Sequence, residues 1–130
     1  MTATTRFVAD DRLIPTGEVA VAGTEFDLSG GRLVGELDLD TAFGGVEVID
    51  GVAVRLTSPD GRELRLTVDE NFDFVQLFTP RNFPTLSGVA QAVAIEPMTA
   101  APNAFNTGRG LLWLEPGVDF SATWGVEYSV

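Results

Sequence analysis

The chain has 130 residues, 45% of them hydrophobic and 21% charged, and its 8 arginines against 19 carboxylates leave a formal net charge of −11. That length fits one domain with a real core, and the composition excludes a disordered chain and a helical membrane protein. The acidity argues against nucleic acid and anionic membranes as partners, and the absence of cysteine and histidine removes disulfides, thiolate chemistry and the commonest acid–base side chain.

The dominant hydrophobic period is two. Arg6–Ala9 and Glu18–Ala22 are the first strand candidates, with Pro15-Thr16-Gly17 between them as a turn. Ser29-Gly30-Gly31 and Gly44-Gly45 mark further turns. Residues 47–68 predict a hairpin: Val52, Val54 and Leu56 lead into Ser58-Pro59-Asp60-Gly61, and Leu64, Leu66 and Val68 follow at alternate positions. Phe74–Thr79, Val89–Ile95 and Leu111–Glu115 are the next candidates. Last, Phe120, Ala122, Trp124, Val126, Tyr128 and Val130 alternate with small or polar residues as a half-buried strand. No helical stripe exceeds two turns. Short strands separated by Gly/Pro turns predict an all-β fold, an antiparallel sandwich or barrel, over a single domain of residues 1–130.

Three polar residues stand out. Glu96 follows the apolar run Val89–Ile95 and precedes Pro97, so the pattern places it at the end of a buried strand, partly desolvated. Such a carboxylate suits a general base, although a salt-bridged glutamate reads the same way. Asp40 closes "ELDLD", and Gln76 lies within "FDFVQLFTP"; a solvated turn and an outward strand position are their plainer readings. Around Gln76, Phe72, Phe74, Phe78 and Phe83 accompany Arg81 and Asn82, a mixture that suits stacking on sugar rings and equally suits a core. Asp38 with Asp40, and Asp10 with Asp11, do not match a calcium loop, so neither metal nor cofactor is expected. No basic segment followed by an apolar stretch opens the chain, so the expected location is cytoplasmic.

Five stretches in order resemble the C-terminal part of the aldose 1-epimerase (galactose mutarotase) family: "LIPTGEVAVAGTEFDL", "LDLDTAF", "FDFVQLFTP", "VAIEPMTAAPNAFN" and "LEPGVDFSATWGVEYSV". The resemblance covers residues 10–130. It implies the C-terminal portion of a β-supersandwich, an aldose (hexose) substrate, and interconversion of its α and β anomers. It implies Glu96 as the base at the anomeric hydroxyl, with Asp40 and Gln76 holding sugar hydroxyls. The family's acid is a histidine in its N-terminal half, and no histidine occurs here. The resemblance therefore implies a truncated homologue with little activity alone, and either a homodimer or a histidine-bearing partner chain. A non-catalytic sugar-binding sandwich, or an inactive truncated homologue, is the alternative. A variant acting on hexose 6-phosphates would need arginines at the cleft, for which Arg81 and Arg109 are the candidates.

Overall fold

The computed structural model describes residues 1–130. Its elements are β1 (Thr5–Ala9), β2 (Pro15–Ala20), a 3-10 turn at Val34–Glu36, β3 (Asp40–Gly44), β4 (Val52–Thr57), β5 (Glu63–Val68), β6 (Phe74–Phe78), β7 (Phe83–Thr85), β8 (Gly88–Ala90), β9 (Ala94–Met98), α1 (Ala104–Thr107) and β10 (Trp124–Ser129). They form a five-stranded sheet ordered β2-β1-β3-β6-β9, a three-stranded sheet ordered β10-β5-β4, and a small β7-β8 ribbon. All pairings are antiparallel. The all-β sandwich expected from the periodicity is the observed class.

The two larger sheets pack face to face. Phe43, Val75 and Leu77 of the five-stranded sheet meet Ala53, Val54, Leu66 and Val68 of the other, with Leu37, Leu39, Val46 and Phe72 closing the core between them. Phe43 and Val75 are the most deeply buried large side chains. Alternation does the sorting: neighbours of each core residue along a strand must face away.

Turn chemistry fixes the hairpins, and two turns differ from expectation. The Ser58–Arg62 turn forms as predicted, with Gly61 at φ 88° and its N–H donating to the Ser58 carbonyl. Before it, Asp50 and Gly51 both have positive φ (52° and 78°), and Ile49 and Val52 exchange two backbone hydrogen bonds. That is a two-residue primed turn, and it starts β4 at Val52 rather than at 47. Pro15-Thr16-Gly17, expected as a turn, instead opens β2. The reversal lies earlier, where the Asp10 carboxylate accepts N–H bonds from Arg12 (3.0 Å) and Ile14 (2.9 Å).

Three strand expectations also shift. Leu111–Glu115 forms no strand, because no neighbour offers it a ladder. The last strand starts at Trp124 rather than Phe120. Val89–Ile95 divides into β8 and β9: the Ala92 N–H turns to the Pro80 carbonyl, and the Gln91 carboxamide donates to the Val34 and Leu37 carbonyls. β3 was hidden in the sequence behind Gly44-Gly45. Gly45 cannot carry a side chain here, since a Cβ would sit 2.1 Å from Thr4 Oγ1, at φ 59°.

Candidate functional site

Asp40, Gln76 and Glu96 lie on three adjacent strands, β3, β6 and β9. Asp40 pairs with Phe78, Ala42 with Gln76, and Gln76 with Glu96. Paired residues share a face, and so do residues two apart on one strand. Asp40, Ala42, Gln76, Phe78 and Glu96 therefore occupy one face, and Phe43, Val75, Leu77 and Ile95 line the core on the other. The carboxamide of Gln76 donates from Nε2 to Asp40 Oδ1 at 2.7 Å. A carboxylate only accepts, so this bond turns the NH2 toward Asp40 and leaves Gln76 Oε1 free as an acceptor.

Glu96 departs from its expected setting. It is the central residue of β9, not the end of a buried strand, and it is exposed. Strand alternation explains the difference: Ile95 and Pro97 turn inward, Glu96 turns outward, and β9 is an edge with no strand beyond it. Pro97 is tolerated because an edge strand has N–H positions that need no ladder partner. Glu96 takes part in none of the ion pairs. The face is an open shelf. An apolar cavity of about 250 Å³ lies elsewhere, toward the core side of the sheet, lined by Leu33, Leu37, Val54, Leu56, Leu77 and Ile95 among others.

Of the four phenylalanines noted around Gln76, Phe72 belongs to the core, and Phe83 is exposed on β7. Phe74 and Phe78 share the outer face with Gln76. Phe78 is 41% exposed beside Asp40, whereas Phe74 is covered. The cover is the segment after β9. It turns at Asn103 (φ 63°), forms the single turn α1, and returns so that the Ala101 N–H donates to the Arg109 carbonyl at 3.2 Å. Gly110 then rests on Phe74: a Cβ there would meet the ring at 3.1 Å. The shelf thus has an aromatic floor at Phe78 and a wall built by residues 99–110.

The chain matches the family model described as aldose 1-epimerase over residues 1–126. It belongs to the aldose 1-epimerase family. No curated protein and no solved structure matches it significantly. Membership implies a sugar as the ligand class. No helix is long and apolar enough to cross a membrane.

For an aldose 1-epimerase family member, the donor–acceptor balance of the shelf is informative. Asp40 Oδ2, Gln76 Oε1 and both oxygens of Glu96 accept, and one N–H of Gln76 donates. Hydroxyls that donate are the natural complement. The two arginines considered for phosphate recognition do not gather there. Arg81 donates to the Gly35 and Leu37 carbonyls, at 3.4 and 3.1 Å, and braces the approach to β3. Arg109 pairs with Glu18 of β2, and its guanidinium lies over Phe74 (5.4 Å) and Phe7 (5.9 Å).

Sequence reasoning passed over Glu18, and the only signal for it was its place just after the Pro-Thr-Gly run. It faces Phe7 across the β1–β2 ladder, on the same face as the shelf. Its Oε1 is buried without a hydrogen-bond partner, as is Thr5 Oγ1 nearby on the same face. Sequence reasoning also missed Thr79, the one buried polar residue. Its hydroxyl accepts the Leu39 N–H at 2.8 Å and donates to the Leu37 carbonyl at 3.3 Å. That bond fixes the residue preceding Asp40.

Proposed function

We propose that this protein binds an aldose, a hexose in its pyranose form, on the Asp40–Gln76–Glu96 shelf and provides the basic half of an anomer interconversion. The observation that carries the reading is the pairing of Gln76 with Glu96 on the same face as Asp40, with Gln76 already bonded to Asp40. Asp40 and Gln76 accept sugar hydroxyls, and Phe78 offers its ring to the C–H face of the sugar. Glu96, with no arginine neutralising it, accepts the proton of the anomeric hydroxyl. The bond between the anomeric carbon and the ring oxygen then breaks as an acid protonates that oxygen. The aldehyde rotates about its bond to the neighbouring carbon, and the ring recloses with the other configuration.

The acid must approach from the opposite side of the anomeric centre. This chain has no histidine to serve, and the shelf is open above, so a histidine-bearing polypeptide over this face would complete the site. Losing a general acid costs about 10²–10⁴-fold in rate, so the chain alone gives little enhancement. Polarimetry of α-glucose and α-galactose tests the reading: any enhancement over water must vanish in Glu96→Gln. Sugar binding with no enhancement under any condition favours a non-catalytic binding module, the second reading, which the missing histidine supports. Neither binding nor enhancement contradicts both.

A further inference from the structure

We propose that β10 is a self-pairing edge through which two copies of this chain associate about a two-fold axis. β10 pairs with β5 on one side and with no strand on the other. Trp124, Val126 and Tyr128 lie opposite Val68, Leu66 and Leu64, hence on the inner face of the three-stranded sheet. Leu66 and Val68 are in the core, but Trp124, Val126 and Tyr128 remain 57%, 56% and 59% exposed. The inner face of this strand overhangs the sandwich. A strand edge with free N–H and C=O groups and an apolar face is a template for another strand.

The surface area supports an occupant of protein size. The chain exposes 8469 Å², whereas a compact monomer of 13.9 kDa exposes roughly 6,700 Å². The excess, about 1,800 Å² on one chain, is about twice the roughly 800 Å² that each partner gives to a standard interface, and two copies covering it would bury a total within the obligate-homodimer range of about 2,000–5,000 Å².

The pattern along β10 points to a second copy. Aromatic, valine, aromatic at alternate positions reads the same in both directions. A two-fold axis at Val126 sets Val126 against itself and Trp124 against Tyr128 of the other copy, giving two aromatic cross-strand pairs. On the other face it sets Gly125 against Glu127, so the two carboxylates do not meet; Arg65 Nη1 already lies 3.7 Å from Glu127. Centring the axis on Glu127 would oppose two carboxylates, and centring it on Gly125 would lose the aromatic pairs. Two such copies join their three-stranded sheets into one sheet of six. The shelf lies on the outer face of the other sheet, so this pairing is independent of the sugar reading and leaves the shelf free.

Cross-linking tests the register in a chain with no native cysteine. Facing residues in an antiparallel pair have Cα atoms about 4.5–5.5 Å apart, inside the disulfide range of about 4.4–6.8 Å. Val126→Cys should therefore form a disulfide dimer under mild oxidation. In Tyr128→Cys the two cysteines lie four residue rises apart, about 13 Å, and should stay unlinked. Sedimentation of the wild-type chain at micromolar concentration should show a dimer. Val126→Lys should weaken it by about tenfold or more with an unchanged circular dichroism spectrum. Because both copies carry net charge −11, added salt should tighten the dimer; a basic partner would show the reverse. A wild-type chain that stays monomeric overturns the proposal, as does a dimer that cross-links through Tyr128→Cys and not Val126→Cys. A dimer weakened by salt also overturns it.

Discussion

Gln76 faces Glu96 across the β6–β9 ladder while its carboxamide donates to Asp40 on β3. Two carboxylates on strands that are not neighbours are thereby held either side of one amide. The amide needs no secondary-structure role, since its backbone is already in the ladder.

Gln76→Leu keeps the side-chain volume and removes the amide. Gln76 is half-exposed, so stability should change by no more than about 0.5–1 kcal/mol. Affinity for an aldose should fall by about tenfold, the worth of one hydrogen bond of about 1.4 kcal/mol. Thermal melting and a sugar titration on the same sample separate the two effects.

Thr79→Val removes the hydroxyl that serves the Leu39 N–H in the core. An unpaired buried N–H costs about 1–3 kcal/mol, read as a lower urea midpoint. Thr79→Ser should recover most of it. Asp40 follows Leu39, so sugar affinity should weaken in the valine variant and return in the serine one.

Arg109→Ala leaves Glu18, a mostly buried carboxylate, without its cation. It also removes the guanidinium from Phe7 and Phe74. The expected cost is about 1–3 kcal/mol, and residues 99–110 should become more open to proteolysis. Adding Glu18→Gln to Arg109→Ala should restore part of the loss, because a neutral amide costs less to leave unpaired.

Acid should destabilise the fold through named carboxylates. Backbone N–H bonds, from Asn71 first and then Thr123, hold Asp69 below its ordinary pKa, and the Ile14 N–H does the same for Asp10. Glu63 is lowered chiefly by its hydrogen bond from Arg65, and Asp60 by that from Arg62. A depressed folded-state pKa means the unfolded chain takes up protons first as the pH falls. The stabilisation is therefore complete above the ordinary carboxylate range and declines below about pH 4. Urea midpoints at neutral pH and across this acid range check it. Because Asp69 accepts the Thr123 N–H just before β10, the Trp124 fluorescence should respond early in the acid transition.

Much of this architecture was readable before folding. Ser58-Pro59-Asp60-Gly61 announced the β4–β5 hairpin, and the Trp124–Tyr128 alternation announced β10, because turn chemistry and period-two patterning act locally. β3 was not readable: Asp40-Thr41-Ala42-Phe43-Gly44 has one large apolar residue, and only the tertiary position between β1 and β6 makes it a strand. Pro15-Thr16-Gly17 looked like a turn because its residues permit one, but the Asp10 carboxylate captures the reversal five residues earlier. The three polar residues of the shelf were identifiable as candidates. Their common face was not, since it depends on a register set by β3 and on Glu96 lying within β9 rather than after it. The exposure of Glu96 followed from the same register and corrected the desolvated setting its apolar neighbours suggested.

The claim that an aldose sits on the Asp40–Gln76–Glu96 face is tested most directly by titrating galactose and glucose into isotopically labelled chain and following backbone amide shifts. Saturable shifts concentrated at Asp40, Gln76, Phe78 and Glu96 are expected, with their loss in Gln76→Leu. Shifts that gather instead around the apolar cavity at Leu37, Val54 and Ile95, or no saturable shift with either sugar, would contradict it.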